Sequence, residues 1–274
     1  MRARVLRVID LETTGNSFTD GGVVEIGWQD LVPSADAEPR WQLAGQPQAI
    51  LIDPGHPISP ATAAIHHIID EDVAGAPRWQ HAAPDILRGA PGPVPLALVA
   101  HRAAFEQRWC GVALTGGLPW ICTYKCALRI WPDAPSHSNQ GLRYWRRPEG
   151  LDRAVGLPAH RAGPDAYVTA FHLRDMLVVA SVEQLLAWSA EPALLVKVPY
   201  GRLRGRRFRD LPAEDLEQLS GGVRGDERSG ERPGRQADAE IGFSARHELA
   251  RRAETSAPAS EPEPQPAGQR DLLL

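Results

Sequence analysis

Two acidic residues follow a short apolar run near the start of the chain, and their spacing would allow them to do chemistry together. Asp10 and Glu12 come directly after Val5–Ile9, a run that is typical of a buried β-strand. Because side chains two apart in a strand point to the same face, both carboxylates can reach one spot. Like charges that close repel each other and are costly to desolvate, so the pair predicts a positive partner between them.

Further acids occur at two later places where a catalytic site could collect them. Glu106 lies just inside a helix that is predicted after the apolar strand of PLALVAH. Asp165 lies in the first turn of a helix that Pro164 is predicted to open, and His160 comes five residues before it. Oxygen-only ligands favour hard cations such as Mg²⁺ or Mn²⁺. Two such ions about 3.5–4 Å apart commonly serve phosphodiester hydrolysis, and a nearby histidine can accept a proton from water.

Each of these residues also has a structural interpretation. An acid after a strand is often a helix cap or a loop residue, and Glu106 alone can be a solvated helix residue. Asp165 can simply interact with the helix dipole, and His160 can be an ordinary loop histidine. Residue types and spacing leave both interpretations open.

The elements between these residues predict an α/β fold. Val5–Ile9 and VVEIGWQDLV are separated by a turn-rich stretch and predict an antiparallel strand pair, with QAILIDP as a third strand. Helices are predicted in SPATAAIHHII, after PLALVAH, and over GPDAYVTAFHLRDMLVVAS. This order predicts a mixed β-sheet flanked by helices.

Three segments resemble, in the same order, the motifs of the DEDDh 3′→5′ exonucleases: DLETTG, VAHRAAFEQRW and HRAGPDAYVTA. The segment ISPATAAIHHIIDEDVAGAP is similar to the stretch between the first two motifs of that family. The resemblance covers residues 5 to about 180. It implies a ribonuclease H-like fold and a metal-dependent hydrolase that releases nucleoside 5′-monophosphates from DNA 3′ ends.

The resemblance also implies roles for individual residues. Asp10, Glu12 and Asp165 would bind two Mg²⁺ or Mn²⁺ ions, Glu106 would join them in the position of the family's usual aspartate, and His160 would be the general base. The residues that would contact the 3′-terminal nucleotide are Thr13, Thr14, His66, His67 and Ile68.

Two positions depart from the family's usual pattern. Glu106 has one more methylene than aspartate, and Arg102 stands where asparagine is usual. A catalytically weakened family member that binds nucleic-acid ends or a polymerase partner is therefore one alternative function. An exoribonuclease of the same fold is another, because discrimination of the 2′-hydroxyl depends on pocket shape.

The composition changes after about residue 190. KVPYGRLRGRRFRDLP is strongly basic, and with FSARHELARR it resembles the small Gly-Lys-x-x-Gly-type module of bacterial exonuclease X-like proteins, relatives of the polymerase III epsilon-like exonucleases. We expect an exonuclease domain at 1–185 and a basic module at 194–254 with a flexible insert at 221–237. A disordered tail is expected at 255–274. The basic residues would hold the substrate backbone through phosphate contacts.

Bulk composition excludes several other classes of protein. The 274 residues carry a formal net charge of −4, so any nucleic-acid-binding surface must be local. Three cysteines form no disulfide framework, which is typical of a reducing cytosol. No apolar run approaches the roughly 20 residues of a membrane span, and the first residues lack a signal peptide's apolar core. We expect a cytoplasmic protein whose partners are DNA 3′ ends, foremost single-stranded ones, and replication or repair proteins.

Overall fold

The computed structural model describes residues 2–16, 19, 21–34, 40–221 and 235–256. The chain divides into two compact units, residues 1–194 and 195–274. The parts of the expected insert and tail at 222–234 and 257–274 lie outside the described residues.

A five-stranded mixed sheet forms the centre of the first unit. Its strands are β1 Arg4–Thr13, β2 Val23–Pro33, β3 Trp41–Leu51, β4 Val94–Ala100 and β5 Trp120–Cys122. They lie in the order β3-β2-β1-β4-β5, with β2 antiparallel to both β1 and β3, and β4 parallel to both β1 and β5. The mixed sheet predicted from the sequence is confirmed. Strand β1 is longer than the apolar run, because pairing with β2 continues through both acidic residues to Thr13.

Eight helices accompany the sheet in the described part of the first unit. They are α1 Pro60–His66, α2 Trp79–Arg88, α3 Glu106–Trp109, α4 Val112–Thr115, α5 Thr123–Ile130, α6 Asn139–Arg146, α7 Ala162–Met176 and α8 Val182–Ala190. Helix α7 begins two residues before Pro164, and α1 ends at a left-handed His67 although the apolar pattern runs on to Ile69. None of the described helices is long and apolar enough to cross a lipid bilayer.

The two faces of the sheet bury different cores. Leu6 and Val8 of β1 pack on one side with Ala166 and Ala170 of α7. Ile9 and Leu11, which alternate with them, pack on the other side, in a cluster that includes Trp79, Ala83 and Leu87 of α2. By the same alternation, Asp10 and Glu12 belong to the α7 side of β1. The strand period therefore directs both carboxylates towards the helix that carries Asp165.

The second unit is a small helical body. Its elements are a bridge between Lys197 and Arg207, a 3₁₀ turn at Phe208–Asp210, and helices α9 Ala213–Ser220 and α10 Arg235–Ser256. Its core includes Phe208, Leu216, Ile241 and Ala245. Helix α10 takes in the last residues of the expected insert and the first residues of the expected tail.

Candidate active site

A cleft of about 520 Å³ opens beside the extended end of β1 and the carboxyl end of β4. The residues that line it are Asp10, Leu11, Glu12, His101, Arg102, Phe105, Glu106, Ser138, Asn139, Gln140, Ala159, His160 and Asp165. All five residues that the resemblance assigned to catalysis are among them. The three segments that resemble exonuclease motifs therefore meet at one place, although they are separated along the chain.

Strand β1 carries two of the carboxylates past the end of its neighbour. The parallel pairing between β1 and β4 ends at Val8 and Val99, whereas β1 continues for five more residues. Asp10 and Glu12 therefore lie beyond the carboxyl end of β4, where the segment 101–105 takes its place. This is the edge of an open α/β sheet at which ligands commonly bind.

The amino end of α7 brings Asp165 against β2, and a glycine makes this approach possible. Gly27 pairs with Asp10 across the strands. A Cβ atom at Gly27 would lie 2.1 Å from the carbonyl carbon of Ala162 and 2.2 Å from the amide nitrogen of Gly163. No side chain fits there unless the backbone moves, so the absence of a side chain at Gly27 sets the distance between the helix and the sheet.

Hydrogen bonds fix the carboxylate of Asp165. Its Oδ1 accepts from the Gln140 side chain at 2.7 Å and from the Asn139 side chain at 3.2 Å. Its Oδ2 accepts from the backbone N–H of His160 at 2.7 Å. These bonds come from two segments of the chain, so the carboxylate is held in one orientation before any ligand binds.

Glu106 is the first residue of α3 and is 3% exposed. Its Oε2 is buried and has no hydrogen-bond partner within the described part of the chain. Burying an unpaired carboxylate oxygen is costly, so binding a cation or a hydrogen-bond donor in the cleft would offset the cost at this atom.

His160 presents its ring at the surface of the cleft from an unusual backbone conformation. Its φ is +60°, in the left-handed region that few residues other than glycine adopt, and the residue is exposed. One ligand atom each from Glu12, His160 and Asp165 lie within 4.8 Å of one another. The histidine ring is therefore next to the carboxylates, with a face open to solvent.

The cleft concentrates negative charge in a poorly solvated place. Burial raises the pKa of Asp10 well above its usual value, and the neighbouring carboxylates raise it further. Burial and the charge of Asp165 raise the pKa of Glu12 to about 8. Burial likewise raises the pKa of Glu106 to about 8. Acids that resist ionisation together are a suitable set for divalent cations, which would neutralise them.

Sequence reasoning missed a further buried acid, Glu25, which lies directly opposite Glu12 in the β1–β2 register. It is 2% exposed and accepts two hydrogen bonds from Arg161, at 2.6 and 3.0 Å. It also accepts the backbone N–H of Ala162 at 2.8 Å. Glu25 thereby ties the start of α7 to β2. A lone acid within the apolar run VVEIG was the signal that could have identified it.

Two histidines that support the cleft, the half-buried lining residue His101 and the fully buried His172, were also missed. His172 of α7 hydrogen-bonds through Nε2 to the carbonyl of Asn139 at 3.1 Å, so it supports the residue that holds Asp165. His101 bridges the Thr123 hydroxyl and the His137 carbonyl at 3.0 and 2.8 Å. Burial lowers the pKa of His101 to about 3 and that of His172 to about 4, so both are neutral supports.

The five residues that were expected to contact a terminal nucleotide are all described, and none of them lines the cleft. Thr13 and Thr14 shape the turn after β1: the Thr13 hydroxyl donates to the Gly15 carbonyl and the Thr14 hydroxyl accepts the Gly22 N–H. The other three lie at the end of α1 and just after it: His66 and Ile68 are buried, and His67 is exposed.

No protein-family model matches the chain. It is 32% identical over 215 residues to Exodeoxyribonuclease 10 of Escherichia coli strain K12, across 77% of this chain and 87% of that protein. Exodeoxyribonuclease 10 of Escherichia coli O6:H1 matches with the same identity and coverage. The solved structure of exonuclease X in complex with 5′ overhanging duplex DNA is 33% identical, with a TM-score of 0.55, and covers 68% of this chain and 99% of that chain. The expected ribonuclease H-like fold is confirmed.

Proposed function

The chain belongs to the exonuclease X-like family of DEDDh exonucleases, and on that basis we propose that it is a divalent-metal-dependent 3′→5′ exonuclease that removes nucleotides from DNA 3′ ends. The relatives are named exodeoxyribonucleases, and the similar solved structure holds DNA, which supports DNA as the substrate. The observation that carries the proposal is the convergence of four acids from three separated segments on one cleft, namely Asp10, Glu12, Glu106 and Asp165.

The donor set fits the metal chemistry of this family. The four acids offer carboxylate oxygens only, which suits Mg²⁺ or Mn²⁺ better than a softer cation. Glu106 contributes a buried oxygen that lacks a partner among the described residues, and Asp165 is already oriented by neighbouring amides. Two divalent ions bound there would supply positive charge that offsets the charge developing on the scissile phosphate.

His160 is proposed as the general base. Its exposed ring lies next to Glu12 and Asp165, where an attacking water would be placed. The bond from its backbone N–H to Asp165 holds the loop, and its left-handed backbone is a strained conformation of the kind found at functional sites. Histidine can accept a proton near neutral pH and pass it to solvent.

The direct test uses a single-stranded DNA oligonucleotide labelled at its 5′ end. We expect purified protein to shorten it from the 3′ end with Mg²⁺ or Mn²⁺, and EDTA to stop the reaction. Asp10→Ala protein, prepared identically, should be folded and inactive. An RNA oligonucleotide of the same sequence, assayed in parallel, compares the two sugars. Normal turnover by the Asp10→Ala protein would contradict the site assignment, and full activity in EDTA would contradict metal dependence.

A further inference from the structure

Arg102 has a backbone conformation that arginine rarely adopts. Its φ is +70°, and among the described residues that are not glycine only His67, Arg102, Arg147 and His160 have positive φ. A side chain at such a position is strained by its Cβ atom, and asparagine tolerates the strain because its short amide can bond to the local backbone. Arginine lacks that compensation. A costly backbone conformation at a cleft is a reason to look for a function of the side chain.

The side chain of Arg102 is held in place. Its guanidinium carbon lies 4.2 Å from the centroid of the Tyr124 ring, which is a cation–π contact. The residue is exposed and lines the cleft together with Phe105 and Glu106. The planar guanidinium is therefore positioned over an aromatic face at the edge of the cleft, with donors available to a ligand.

The guanidinium of Arg102 differs in charge from the acids that line the cleft with it. Among the described lining residues, Arg102 is the sole arginine or lysine, and the other charged groups are four carboxylates. The nearby Arg161 is bonded to Glu25. Its guanidinium lies over the Tyr124 ring, and among the described residues it forms no ion pair with a carboxylate of the cleft. A polyanionic strand that enters the cleft therefore meets one cation that is held on an aromatic ring and is not paired with a cleft acid.

We propose that Arg102, stacked on Tyr124, binds a phosphate of the substrate strand other than the one being cleaved. This inference rests on the proposed function and adds a subsite to it. A guanidinium presents paired donors that match phosphate oxygens, and its stacking reduces the side-chain freedom lost on binding. The subsite would hold the strand while the carboxylate group acts on the terminal linkage.

The test compares Arg102→Asn with Arg147→Asn. Arg147 is an exposed arginine with φ +50° at the end of α6 and outside the cleft lining, so its substitution relieves similar strain without touching the cleft. Binding is measured by fluorescence anisotropy with a labelled oligothymidylate that carries a 3′-terminal phosphorothioate, in Mg²⁺, over a range of salt concentrations. Hydrolysis is measured with the p-nitrophenyl ester of thymidine 5′-monophosphate, which has a single phosphate.

We expect Arg102→Asn to weaken oligonucleotide binding about 10-fold or more and to lower the slope of log affinity against log salt by about 1. Hydrolysis of the single-phosphate ester should stay unchanged. Arg147→Asn should leave both readouts at the wild-type level, while both substitutions should raise the thermal midpoint. Arg102→Lys keeps the charge without the planar fork and should bind with intermediate affinity.

Three results would overturn the subsite. One is unchanged oligonucleotide affinity and salt slope in Arg102→Asn. Another is equal weakening by Arg147→Asn, which would indicate a general charge effect. The third is an equal loss of activity on the single-phosphate ester, which would place Arg102 at the scissile phosphate. Because the affinity measurement does not depend on turnover, an inactive wild-type protein would contradict the proposed function while the affinities still decide the role of Arg102.

Discussion

The buried acids of the two units have opposite electrostatic surroundings. In the cleft of the first unit, burial and mutual repulsion raise the pKa of Glu12 and Glu106 to about 8. In the second unit, hydrogen bonds from Arg251 and Arg252 lower the pKa of Glu248 to about 2, although its side chain is only 9% exposed. The surroundings of the cleft acids therefore disfavour their ionised form, whereas the surroundings of Glu248 favour it.

The difference distinguishes an acid that stabilises the fold through ion pairs, Glu248, from the cleft acids, which in the proposed function bind a ligand. Glu248 receives its cations from its own helix, and Arg252 also donates to the carbonyl oxygens of Arg209 and Leu211. A buried acid of the first unit can also be paired with an arginine, since Glu25 forms an ion pair with Arg161. Among the described residues, no arginine or lysine forms an ion pair with the four acids that line the cleft, and in the proposed function a bound cation is their partner. Strongly perturbed pKa values in a cleft are typical of functional sites.

Neutralising one acid from each set gives the largest contrast. Asp10→Asn should lower exonuclease activity by more than about 100-fold, since even residues behind metal ligands contribute 10–100-fold. The metal-free variant should nevertheless be more stable by about 1 kcal/mol, because an amide neither buries a repelling charge nor has to take up a proton on folding. Glu248→Gln should keep activity on the single-phosphate ester and destabilise the second unit by about 1–3 kcal/mol.

Tryptophan fluorescence distinguishes the two units in this experiment. All eight tryptophans lie within residues 1–194, so fluorescence follows the first unit and far-ultraviolet circular dichroism follows both. Mn²⁺ should raise the fluorescence midpoint of the wild type and have no effect on Asp10→Asn. A destabilised Asp10→Asn protein, or one that Mn²⁺ still stabilises, would contradict the view that the cleft acids are arranged for a cation.

The next largest effect is expected when the acids are moved apart. In Gly27→Ala the new Cβ atom would collide with the backbone of Ala162 and Gly163, so the start of α7 must shift away from β2. We expect a loss of about 1–3 kcal/mol in stability and, because a displacement near 1 Å misplaces Asp165, a roughly 100-fold loss of activity. Gly92→Ala, whose new Cβ atom would have no atom of the described residues within 4 Å, is the matched control. Equal activities of the two variants would show that the close approach is not needed.

A smaller effect is expected at Glu106, where the chain departs from its family's usual aspartate. The carboxylate already lines the cleft with one oxygen unpartnered among the described groups, so Glu106→Asp should change kcat by less than about tenfold. Glu106→Gln removes the charge and should lower kcat by at least about tenfold. The measurement is turnover of the single-phosphate ester over a range of Mg²⁺ concentrations. A gain of tenfold or more in Glu106→Asp would mean that glutamate handicaps the site.

The sequence predicted the parts of the site that depend on local pattern. The two-residue period of β1 was sufficient to place Asp10 and Glu12 on one face, and the start of α7 was sufficient to place Asp165 near its first turn. Predicting that the three motifs meet at one cleft required the family resemblance, because spacing along the chain does not determine which elements pack together.

The parts that were missed depend on contacts across the fold. The pairing of Glu12 with Glu25 follows from the β1–β2 register, which the turn-rich connection does not specify. Gln140 reaches Asp165 from a separate helix, and nothing in the segment SNQGLRYW indicates that role. The end of α1 at His67 was missed because the apolar pattern continues beyond it. Register and helix docking are tertiary properties, so single-sequence patterns leave them open.

The smallest predicted effect concerns His172, a buried titratable group that belongs to neither set of acids. Its ring is fully buried, and desolvation with the charges of Arg146 and Arg143 lowers its pKa to about 4, below the unfolded value of 6.5. As pH falls below 6.5 the unfolded chain takes up the proton first, so the protein loses up to about 1.4 kcal/mol per pH unit until the folded histidine also titrates near pH 4.

His172→Gln keeps a donor for the Asn139 carbonyl and cannot titrate in this range. Its unfolding free energy, followed by tryptophan fluorescence between pH 6.5 and 4, should therefore fall less steeply than that of the wild type by the equivalent of about one proton. Glu248→Gln should leave this slope unchanged, because its depressed pKa acts only below 4.5 and in the other unit. Parallel slopes for His172→Gln and the wild type would show that His172 is protonated in the folded protein. That result would contradict its role as a neutral support of Asn139.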